Sequence, residues 1–441
     1  MPDRLGAPPN AARTGFPGQE GALLPLSGGL GTPGRPERPG ATGPAPRILL
    51  YCHDTYGLGH LRRVLRVAAQ IATRWPEASQ LVVTGSPVAH RFRFPPRTDY
   101  IKLPSVLKED RDRYVSRSLA MDFAAIRRLR SDIVADAARL FRPDVLIADH
   151  APTGLARELL PTLELLHRRV PRPTLVVGLR DVIDDPALVR HAWHRDGVYD
   201  LFDEVYDRIL VYGDAEVYDV RHEYALSPRS AAKVRFVGYL GEQATSEAVQ
   251  AARRRLRLDG HRLVLSTVGG GGDGARVLRA VADAIGEARP ELRLSALLVA
   301  GPLMTDRDAA AISASVKPPS VRLVDFVDDL PAAIGAADVV VAMGGYNTVA
   351  ELLAAGRPTL LVPRTSPRRE QLIRAELLRR RGLVRVLTPE QLGPRRLLRE
   401  VLELLDTSPP AQARPLFVQD GVAAALDDVL MTRPSAVGVA R

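Results

Sequence analysis

Short apolar runs alternate with helical stretches along this chain, and the alternation occurs in two successive series. A run that is apolar at every position fits a strand buried on both faces of its sheet. Strands that are separated by helices form parallel, doubly wound sheets. The first series therefore predicts one such sheet, with strands at 47–52, 80–85, 144–149, 174–180, 208–213 and 234–238.

The second series predicts a second sheet of the same kind. A length of 441 residues exceeds what one hydrophobic core usually supports, so two Rossmann-like α/β domains are expected. We place the N-terminal domain at 47–240 and the C-terminal domain at 241–441, facing each other across a cleft. The carboxyl ends of the strands should line that cleft, where such sheets bind ligands. The second series is read as strands at 262–268, 294–300, 320–324, 338–343 and 358–362, with helices at 273–288, 306–315, 328–336, 347–355, 368–381, 389–406 and 418–431.

The first 46 residues, the cysteine content and the length of the apolar runs limit the classes of protein to which this chain can belong. Residues 1–46 are rich in Pro, Gly, Ala and Arg without hydrophobic periodicity, which predicts a disordered arm. Cys52 is the only cysteine, so no disulfide or cysteine metal site can form within one chain. No apolar run is long enough for a transmembrane helix. We expect a cytoplasmic protein.

The formal net charge of +10 could attract nucleic acid or an anionic membrane surface. The basic residues are nearly all arginines spread over predicted helix surfaces, and no aromatic-interleaved basic motif occurs. We therefore expect no nucleic-acid partner. Peripheral contact with the inner face of the membrane stays open, because acidic lipids attract positive charge.

The first loop that could carry chemistry follows the first strand and reads HisAspThrTyrGlyLeuGlyHis, residues 53–60. Gly57 and Gly59 permit a tight turn and close approach of the backbone to a ligand. His60 falls at the start of a helix, where free amides and the helix dipole favour an anion. His53, Asp54, Gly57 and Gly59 are candidate acceptor- or phosphate-binding residues; a simple turn is the alternative.

A second loop, ThrValGlyGlyGlyGlyAspGly at 267–274, also follows a strand and opens a helix. Its consecutive glycines, among them Gly269, Gly270 and Gly271, leave backbone amides bare for a diphosphate. The loop is not a Walker motif, because no GlyLysSer or GlyLysThr follows. A flexible surface turn is the alternative.

A third segment, GlyGlyTyrAsnThrValAlaGlu at 344–351, ends a strand and starts a helix. Asn347 and Thr348 would offer polar side chains and free amides at the helix N-terminus, beside Gly344 and Gly345. Glu351 would lie one turn later on the same face and could accept hydrogen bonds from a ribose diol. Glu370 and Gln371 start the next helix and could read sugar hydroxyls; solvated or capping roles are the alternative.

Over residues 262–382 the sequence resembles the glycosyltransferase family that contains the lipid I N-acetylglucosaminyltransferase of peptidoglycan synthesis and the plant monogalactosyldiacylglycerol synthases. The resemblance includes the Gly-rich loop, PheValAspAspLeu at 326–330, the 344–351 segment, and GluGln at 370–371. It implies the two-domain GT-B fold and a nucleotide-diphosphate sugar donor, with a uridine base and inverting transfer. The resemblance assigns Phe326 and Val327 to uracil packing, Thr348 to the diphosphate, Glu351 to the ribose, Glu370 and Gln371 to the donor sugar, and His60 to the cleft.

Two departures from the family pattern separate this chain from the peptidoglycan enzyme. The polar pair is GluGln instead of GlnGln, and the acceptor-side half matches only at its first loop. The acceptor, a small molecule or a lipid-linked one, is therefore not identified by the resemblance.

The expected activity is metal-independent and cofactor-free transfer of a hexosyl or N-acetylhexosaminyl group. Helix dipoles and amides would stabilise the departing diphosphate. His60 is the candidate base, because an imidazole suits proton transfer near neutral pH. Asp149 is its candidate partner, and Asp181 competes for that role.

Three alternatives remain from the sequence. GlyLeuGlyHisLeuArgArg at 57–63 is similar to a loop of nucleotide-sugar hydrolases, in which water replaces the acceptor. A sugar-nucleotide 2-epimerase would share the fold, although its carboxylate set is not evident. A non-catalytic module that binds a nucleotide sugar is the third alternative, and the combination of His60, Glu351 and Gln371 argues against it.

Overall fold

The structure is a computed structural model that describes residues 45–53, 59–108, 114–258, 260–407 and 416–431; for Met431 only the backbone is described. The predicted arm at 1–46 therefore lies outside the described residues except for its last two. Within the described ranges, no helix has the length and apolarity needed to cross a membrane.

Seven parallel strands form the first sheet, in the order β3-β2-β1-β6-β7-β8-β9. A two-stranded antiparallel hairpin, β4-β5, lies outside it. All six predicted strands of this half are confirmed within one or two residues. The strands are β1 Arg47–Cys52, β2 Ser79–Thr84, β3 Thr98–Lys102, β4 Val106–Lys108, β5 Tyr114–Ser116, β6 Val145–Asp149, β7 Thr174–Arg180, β8 Arg208–Tyr212 and β9 Val234–Phe236.

Six parallel strands form the second sheet, in the order β12-β11-β10-β13-β14-β15. In both sheets the strand order reverses beside the first strand of the series, β1 or β10, which makes a crevice at the carboxyl ends of the central strands. The strands are β10 Arg262–Thr267, β11 Leu294–Val299, β12 Val321–Val324, β13 Val339–Ala342, β14 Thr359–Leu361 and β15 Arg385–Val386. The predicted α/β fold class with two doubly wound sheets is confirmed.

The helices cover the faces of both sheets. The helix predicted at 389–406 begins only at Pro394, since proline fits the first helical turn better than its interior. The helices are α1 Gly59–Arg74, α2 Phe123–Phe141, α3 Leu160–His167, α4 Pro186–Asp196, α5 Val198–Asp200, α6 Val220–Glu223, α7 Pro228–Ala232, α8 Ser246–Leu256, α9 Ala275–Gly286, α10 Asp306–Ser313, α11 Leu330–Ala336, α12 Tyr346–Ala355, α13 Glu370–Arg380, α14 Pro394–Leu405 and α15 Gly421–Met431.

The end of the described chain returns to the first sheet. Helix α15 packs against α1, and Arg74 Nε donates to Asp427 Oδ1 at 3.0 Å. One continuous apolar cluster includes Ile48 of β1 and Leu265 of β10, so the two halves share buried surface. The division at residue 240 stays a prediction.

Three short strand elements were not predicted from the sequence. Strand β3, ThrAspTyrIleLys, lies at the edge of its sheet and is only partly buried, so it lacks an apolar run. The β4-β5 hairpin has three residues per strand, and β15 has two. Edge strands with one partner need less apolar sequence than central ones, and their pairing is decided by the neighbour.

A buried ion pair fastens α2 to the first sheet. Arg130 Nε and Nη2 donate to the two carboxylate oxygens of Glu158 at 2.7 and 2.6 Å, and both side chains are fully buried. Tyr51 of β1 donates its hydroxyl hydrogen to Glu158 Oε1 at 2.6 Å. Burial, followed by the charge of Glu158, raises the pKa of Tyr51, which therefore stays a neutral donor.

We expect Arg130→Met to destabilise the protein by about 3–5 kcal/mol, because it leaves the Glu158 carboxylate buried without its cation. The measurement is urea unfolding followed by circular dichroism. Arg128→Met is the matched control, because Arg128 lies on the exposed face of the same helix. Equal midpoints for the two variants would contradict the expectation.

Candidate active site

The start of α1 carries the first group of predicted site residues. Strand β1 ends one residue before His53, and α1 begins at Gly59, which puts His60 in the first helical turn. The predicted Asp54 and Gly57 lie outside the described residues. His53 and Gly59 are described, and they bracket the loop at the carboxyl end of β1.

His60 contacts Asp149, the last residue of the neighbouring strand β6. Its Nδ1 lies 2.8 Å from Asp149 Oδ2. Arg63, one helical turn after His60, donates Nε to Asp149 Oδ1 at 2.7 Å and Nη2 to Oδ2 at 2.6 Å. Arg63 is 2% exposed and Asp149 is fully buried. The buried carboxylate therefore holds both the imidazole and a guanidinium.

The charges of this group decide which nitrogen of His60 carries the proton. Burial alone would raise the pKa of Asp149, but the Arg63 charge and the hydrogen bonds from His60 and Arg63 hold it well below its usual value. A carboxylate only accepts, so His60 Nδ1 must donate to it. The 2.9 Å approach of Arg63 Nη2 to the same nitrogen is then not a hydrogen bond. In the neutral ring, His60 Nε2 then carries the lone pair that a general base requires.

Asp181, the competing partner for His60, is engaged elsewhere. It accepts from Arg374 of α13, with Nη2 at 2.6 Å from Oδ1, and from the Tyr239 hydroxyl at 2.9 Å. Arg374 also donates to the carbonyls of Gly344 and Val182 at 2.8 and 2.9 Å. The geometry thus assigns Asp149 to His60 and gives Asp181 a structural role between the two sheets.

Tyr346 connects these two ion pairs. The guanidinium carbons of Arg63 and Arg374 lie 5.5 and 5.7 Å from its ring centroid, within the range of cation–π contacts. Its hydroxyl accepts from the backbone amide of Leu240 at 3.1 Å. Sequence reasoning missed Arg63, Arg374 and Tyr346. Arginines occur on most helices here, and although Arg63 and Tyr346 lie inside the quoted motifs 57–63 and 344–351, neither residue was given a role.

The N-termini of α1 and α12 meet. Asn347 Nδ2 donates to the carbonyl of Gly59 at 2.9 Å, so the residue predicted for the donor site lies against the loop that carries His60. Glu351, one turn later, is 1% exposed and accepts from Arg66 and Arg62 of α1 at 2.9 and 3.3 Å. A ribose that binds Glu351 would have to displace these guanidinium groups.

The Gly-rich loop lies beside α12. A Cβ added at Gly269 would lie 3.9 Å from Thr348 Oγ1, while one at Gly271 would lie 2.2 Å from the carbonyl oxygen of Ala300. Gly271 also has a φ of 93°, which L side chains rarely adopt. Gly270 packs near Leu303, where an added Cβ would come within 3.1 Å. The loop backbone therefore approaches the start of α12 closely, as an anion site requires.

The predicted sugar-reading pair sits at the start of α13, and both side chains are buried. Arg364 Nη2 donates to Glu370 Oε1 at 2.6 Å, and its Nη1 donates to Asp273 of the Gly-rich loop at 3.0 Å. Gln371 Oε1 accepts from the Arg364 amide at 3.1 Å. Glu370 Oε2 is buried and has no hydrogen-bond partner. That oxygen is the free acceptor of the pair.

The remaining donor-side predictions fall on the same edge of the second sheet. Phe326 follows β12 and is 62% exposed, which is unusual for a phenylalanine and leaves its ring free to stack. Val327 is partly buried against the core. Gly344 must be small, because an added Cβ would lie 2.8 Å from the Gln371 carbonyl, and Gly345 caps α12.

Two further histidines, His53 and His150, lie close to His60. The ring centroids of His53 and His150 lie 4.3 and 5.3 Å from that of His60. Burial, and then the charge of His60, lowers the pKa of His53; burial, and then Arg180, lowers that of His150. Both therefore stay neutral at physiological pH.

Comparisons with known proteins show what this chain is similar to. Residues 265–421 match the glycosyltransferase family 28 C-terminal domain. A UDP-N-acetylglucosamine--N-acetylmuramyl-(pentapeptide) pyrophosphoryl-undecaprenol N-acetylglucosamine transferase of Frankia casuarinae is 35% identical over 148 residues, which cover 33% of this chain and 39% of that protein. The enzyme of the same name from Alkaliphilus oremlandii is 23% identical over 79% of this chain and 87% of its own length.

A solved structure extends the likeness to both sheets. The glycosyltransferase of kitacinnamycin superposes with a TM-score of 0.60 at 17% identity, over 88% of this chain and all of that one. The chain has the GT-B fold, and its residues 265–421 match the family 28 C-terminal domain. The suspected resemblance to a glycosyltransferase family, the predicted fold and the predicted enzyme class are confirmed. The family match covers the donor-side residues of the glycosyltransferase from Gly269 to Gln371, whereas His60 and Asp149 lie outside it.

The two neutral histidines make the stability of the glycosyltransferase sensitive to pH. Their pKa values are lowered in the folded state, so the unfolded state binds more protons once the pH falls below about 6.5. Stability is fully present above that pH and is lost as the pH falls toward the folded pKa. Between pH 6.5 and 5, we expect the free energy of unfolding of His150→Gln to fall less steeply than that of the wild type, by about 1 kcal/mol per pH unit. Urea unfolding at several pH values measures this free energy.

The control for this pH series is His222→Gln, because the side chain of His222 is 88% exposed. Its stability should follow that of the wild type at every pH. A His150→Gln profile that is parallel to the wild-type profile would show that His150 already binds a proton in the folded protein.

Proposed function

We propose that this glycosyltransferase moves a hexosyl or N-acetylhexosaminyl group from a UDP-sugar to a hydroxyl of an acceptor, with inversion at the anomeric carbon and without a metal ion. One observation carries the proposal. His60 is oriented by the buried Asp149 so that its Nε2 is free, and its helix meets the N-terminus of α12 at the Asn347–Gly59 contact. A base and an anion-binding helix end thus belong to one site.

The donor half of the proposal rests on four segments that follow strands of the second sheet. The exposed Phe326 offers a face for a planar base. The bare amides around Gly269 and Thr348 suit a diphosphate. Glu370 Oε2 is a buried acceptor without a partner, as a sugar hydroxyl would need. The printed names of the Frankia and Alkaliphilus relatives include UDP-N-acetylglucosamine, which favours uridine as the base.

The chemistry is a single displacement. His60 Nε2 accepts the proton of the acceptor hydroxyl while the oxygen attacks the anomeric carbon from the face opposite the diphosphate. The bond between that carbon and the diphosphate oxygen breaks, and its electron pair leaves with UDP. Attack from the opposite face inverts the configuration. Asp149 stabilises the imidazolium that forms, in the manner of the aspartate in a serine-protease triad.

Stabilisation of the leaving group does not require a metal ion in this proposal. Negative charge develops on the diphosphate, and the amides at the start of α12 are positioned to accept it. Arg364 lies in the loop after β14, and its guanidinium is already paired with Asp273 and Glu370. The amides of α12 are therefore proposed as the main stabilising groups for the leaving diphosphate.

The acceptor is proposed to be a small molecule or a lipid-linked one. The printed names of the relatives include a pyrophosphoryl-undecaprenol acceptor, which favours the lipid-linked class. A cytoplasmic protein with peripheral membrane contact fits that acceptor, because a net charge of +10 is attracted to acidic lipids.

We expect His60→Ala and Asp149→Asn to lower the rate of sugar transfer at least about 100-fold, because general base catalysis contributes about 10²–10⁴. UDP affinity should stay within about twofold, since neither side chain is proposed to touch the nucleotide. The measurement is release of UDP from UDP-sugars in EDTA with a panel of acceptors, beside UDP binding by calorimetry. His222→Ala is the control.

The products of the same assay separate transfer from hydrolysis. A glycosylated acceptor supports the proposal, whereas free sugar formed at equal rates with and without acceptor would establish a nucleotide-sugar hydrolase. Normal turnover in His60→Ala would remove His60 from the mechanism. Turnover that requires added divalent cation would overturn metal independence.

We expect Phe326→Ala to weaken UDP binding about tenfold without changing the melting temperature, because the ring loses a stacked base but covers little of the core. Calorimetric titration with UDP, GDP and dTDP measures the affinity and the preference for the base. Leu188→Ala, at another half-exposed apolar side chain, should leave both quantities unchanged. An unaltered UDP affinity in Phe326→Ala would place the base elsewhere.

A further inference from the structure

Arg180 is an arginine without a carboxylate. It is the last residue of β7, beside the strand that ends in Asp149. Within the described residues no ion pair includes Arg180, whereas the neighbouring Arg63 and Arg374 are paired with Asp149 and Asp181. Arg180 is partly buried and its Nε is fully buried without a partner, so this unpaired guanidinium beside two paired ones points to an anion.

The hydrogen bond of Arg180 fixes the tautomer of His150. Arg180 Nη2 lies 3.0 Å from His150 Nε2, and a guanidinium can only donate. Nε2 must therefore accept, which places the proton of the neutral ring on Nδ1. His150 Nδ1 is buried without a partner, and so is Arg180 Nε. Both unpartnered atoms are hydrogen-bond donors.

A third unpartnered atom lies in the same cluster. His53 Nδ1 is buried and has no hydrogen-bond partner, and its ring centroid is 6.4 Å from that of His150. Each buried polar atom without a hydrogen-bond partner costs about 1–3 kcal/mol, and His53 Nδ1 can donate to an anion in the tautomer that carries its proton there. His150 also adopts a φ of 65°, a conformation that non-glycine residues hold mainly at functional sites and turns. The group is thus costly to the fold unless a ligand oxygen completes it.

We propose that Arg180, His150 and His53 form a binding site for an oxyanion, a phosphate or a carboxylate, that the acceptor carries next to its reacting hydroxyl. The ring of His150 lies 5.3 Å from that of His60, so an oxyanion bound here is adjacent to the base. This assignment rests on the proposed function for the identity of the acceptor, but the anion site itself does not. It narrows the acceptor to an acidic molecule.

The charge of the site is permanent at neutral pH. Burial, and then the charges of Arg63 and Arg374, lowers the pKa of Arg180 to about 10, which still leaves the guanidinium protonated. The negative charge of Glu370 partly offsets this effect of the neighbouring arginines on the pKa of Arg180. An acidic acceptor would bring the missing negative charge, and a neutral one would leave the arginine uncompensated.

The test is a titration of ¹⁵N-histidine-labelled full-length protein with inorganic phosphate and, separately, with acetate, observed by the imidazole ¹⁵N signals. The His150 signals are assigned by their loss in His150→Gln. We expect the Nδ1–H tautomer before titration and saturable shifts of the His150 signals with one anion or both. Phosphate alone would identify a phosphorylated acceptor, and acetate alone a carboxylate-bearing one.

We expect Arg180→Gln to lower the apparent affinity for the anion, as measured by these shifts, at least about tenfold. The reason is that the variant removes one full positive charge from the site. Arg235→Gln, at an exposed arginine of the same half, should titrate like the wild type. The melting temperature of Arg180→Gln without anion should equal or exceed that of the wild type, because no ion pair is lost.

Two outcomes would overturn the proposal: no shift of the His150 signals with either anion, or shifts that persist undiminished in Arg180→Gln. Neither outcome depends on nucleotide binding or turnover. The anion site can therefore fail while UDP binding and His60-dependent transfer hold, and it can hold if the protein proves to be a hydrolase.

Discussion

The buried carboxylate of Asp149 is the interaction on which the site depends. It lies at the end of β6 and holds His60 and Arg63 of α1 at hydrogen-bond distance, so it fixes the rotation of α1 and the tautomer of the imidazole together. Arg63 in turn stacks on Tyr346, the first residue of α12. Through these contacts one negative charge in the first sheet positions the helix end of the second sheet.

A second buried carboxylate, Asp181, also binds an arginine that contacts Tyr346. Asp181 holds Arg374 of α13, and the guanidinium of Arg374 also contacts the Tyr346 ring. Buried ion pairs add little net stability compared with apolar packing, but removing one partner is costly. Their main effect is therefore to fix the position of one sheet relative to the other, and they add little to the stability of the protein. This relative position brings Asn347 against Gly59 and sets the distance between His60 and the donor loops.

Polar atoms without partners in the same region point to substrates. Arg180 Nε, the Nδ1 atoms of His53 and His150, and Glu370 Oε2 have no hydrogen-bond partner in the described residues, while the ion pairs of Arg63 and Arg374 are complete. The arginine and histidine atoms lie near His60, and the Glu370 oxygen lies at the start of α13. A site that binds an acidic acceptor on one side and sugar hydroxyls on the other would satisfy both sets. Glu351, the carboxylate predicted to bind the ribose, is instead paired with Arg62 and Arg66 in this structure.

The sequence by itself determined the two sheets, their central strands and the loops that carry the site, because buried parallel strands must be apolar throughout and phosphate loops must be glycine-rich. His60 and Asp149 could be paired as candidates, since both end or follow strands whose carboxyl ends share an edge. Only the tertiary structure decided that Asp149 and not Asp181 holds His60, and that Arg63, Arg374 and Tyr346 join the halves. The reason is physical: which charges pair depends on distances of a few ångströms between residues far apart in the chain, and an arginine that binds a buried carboxylate has the same local sequence signal as one in solvent.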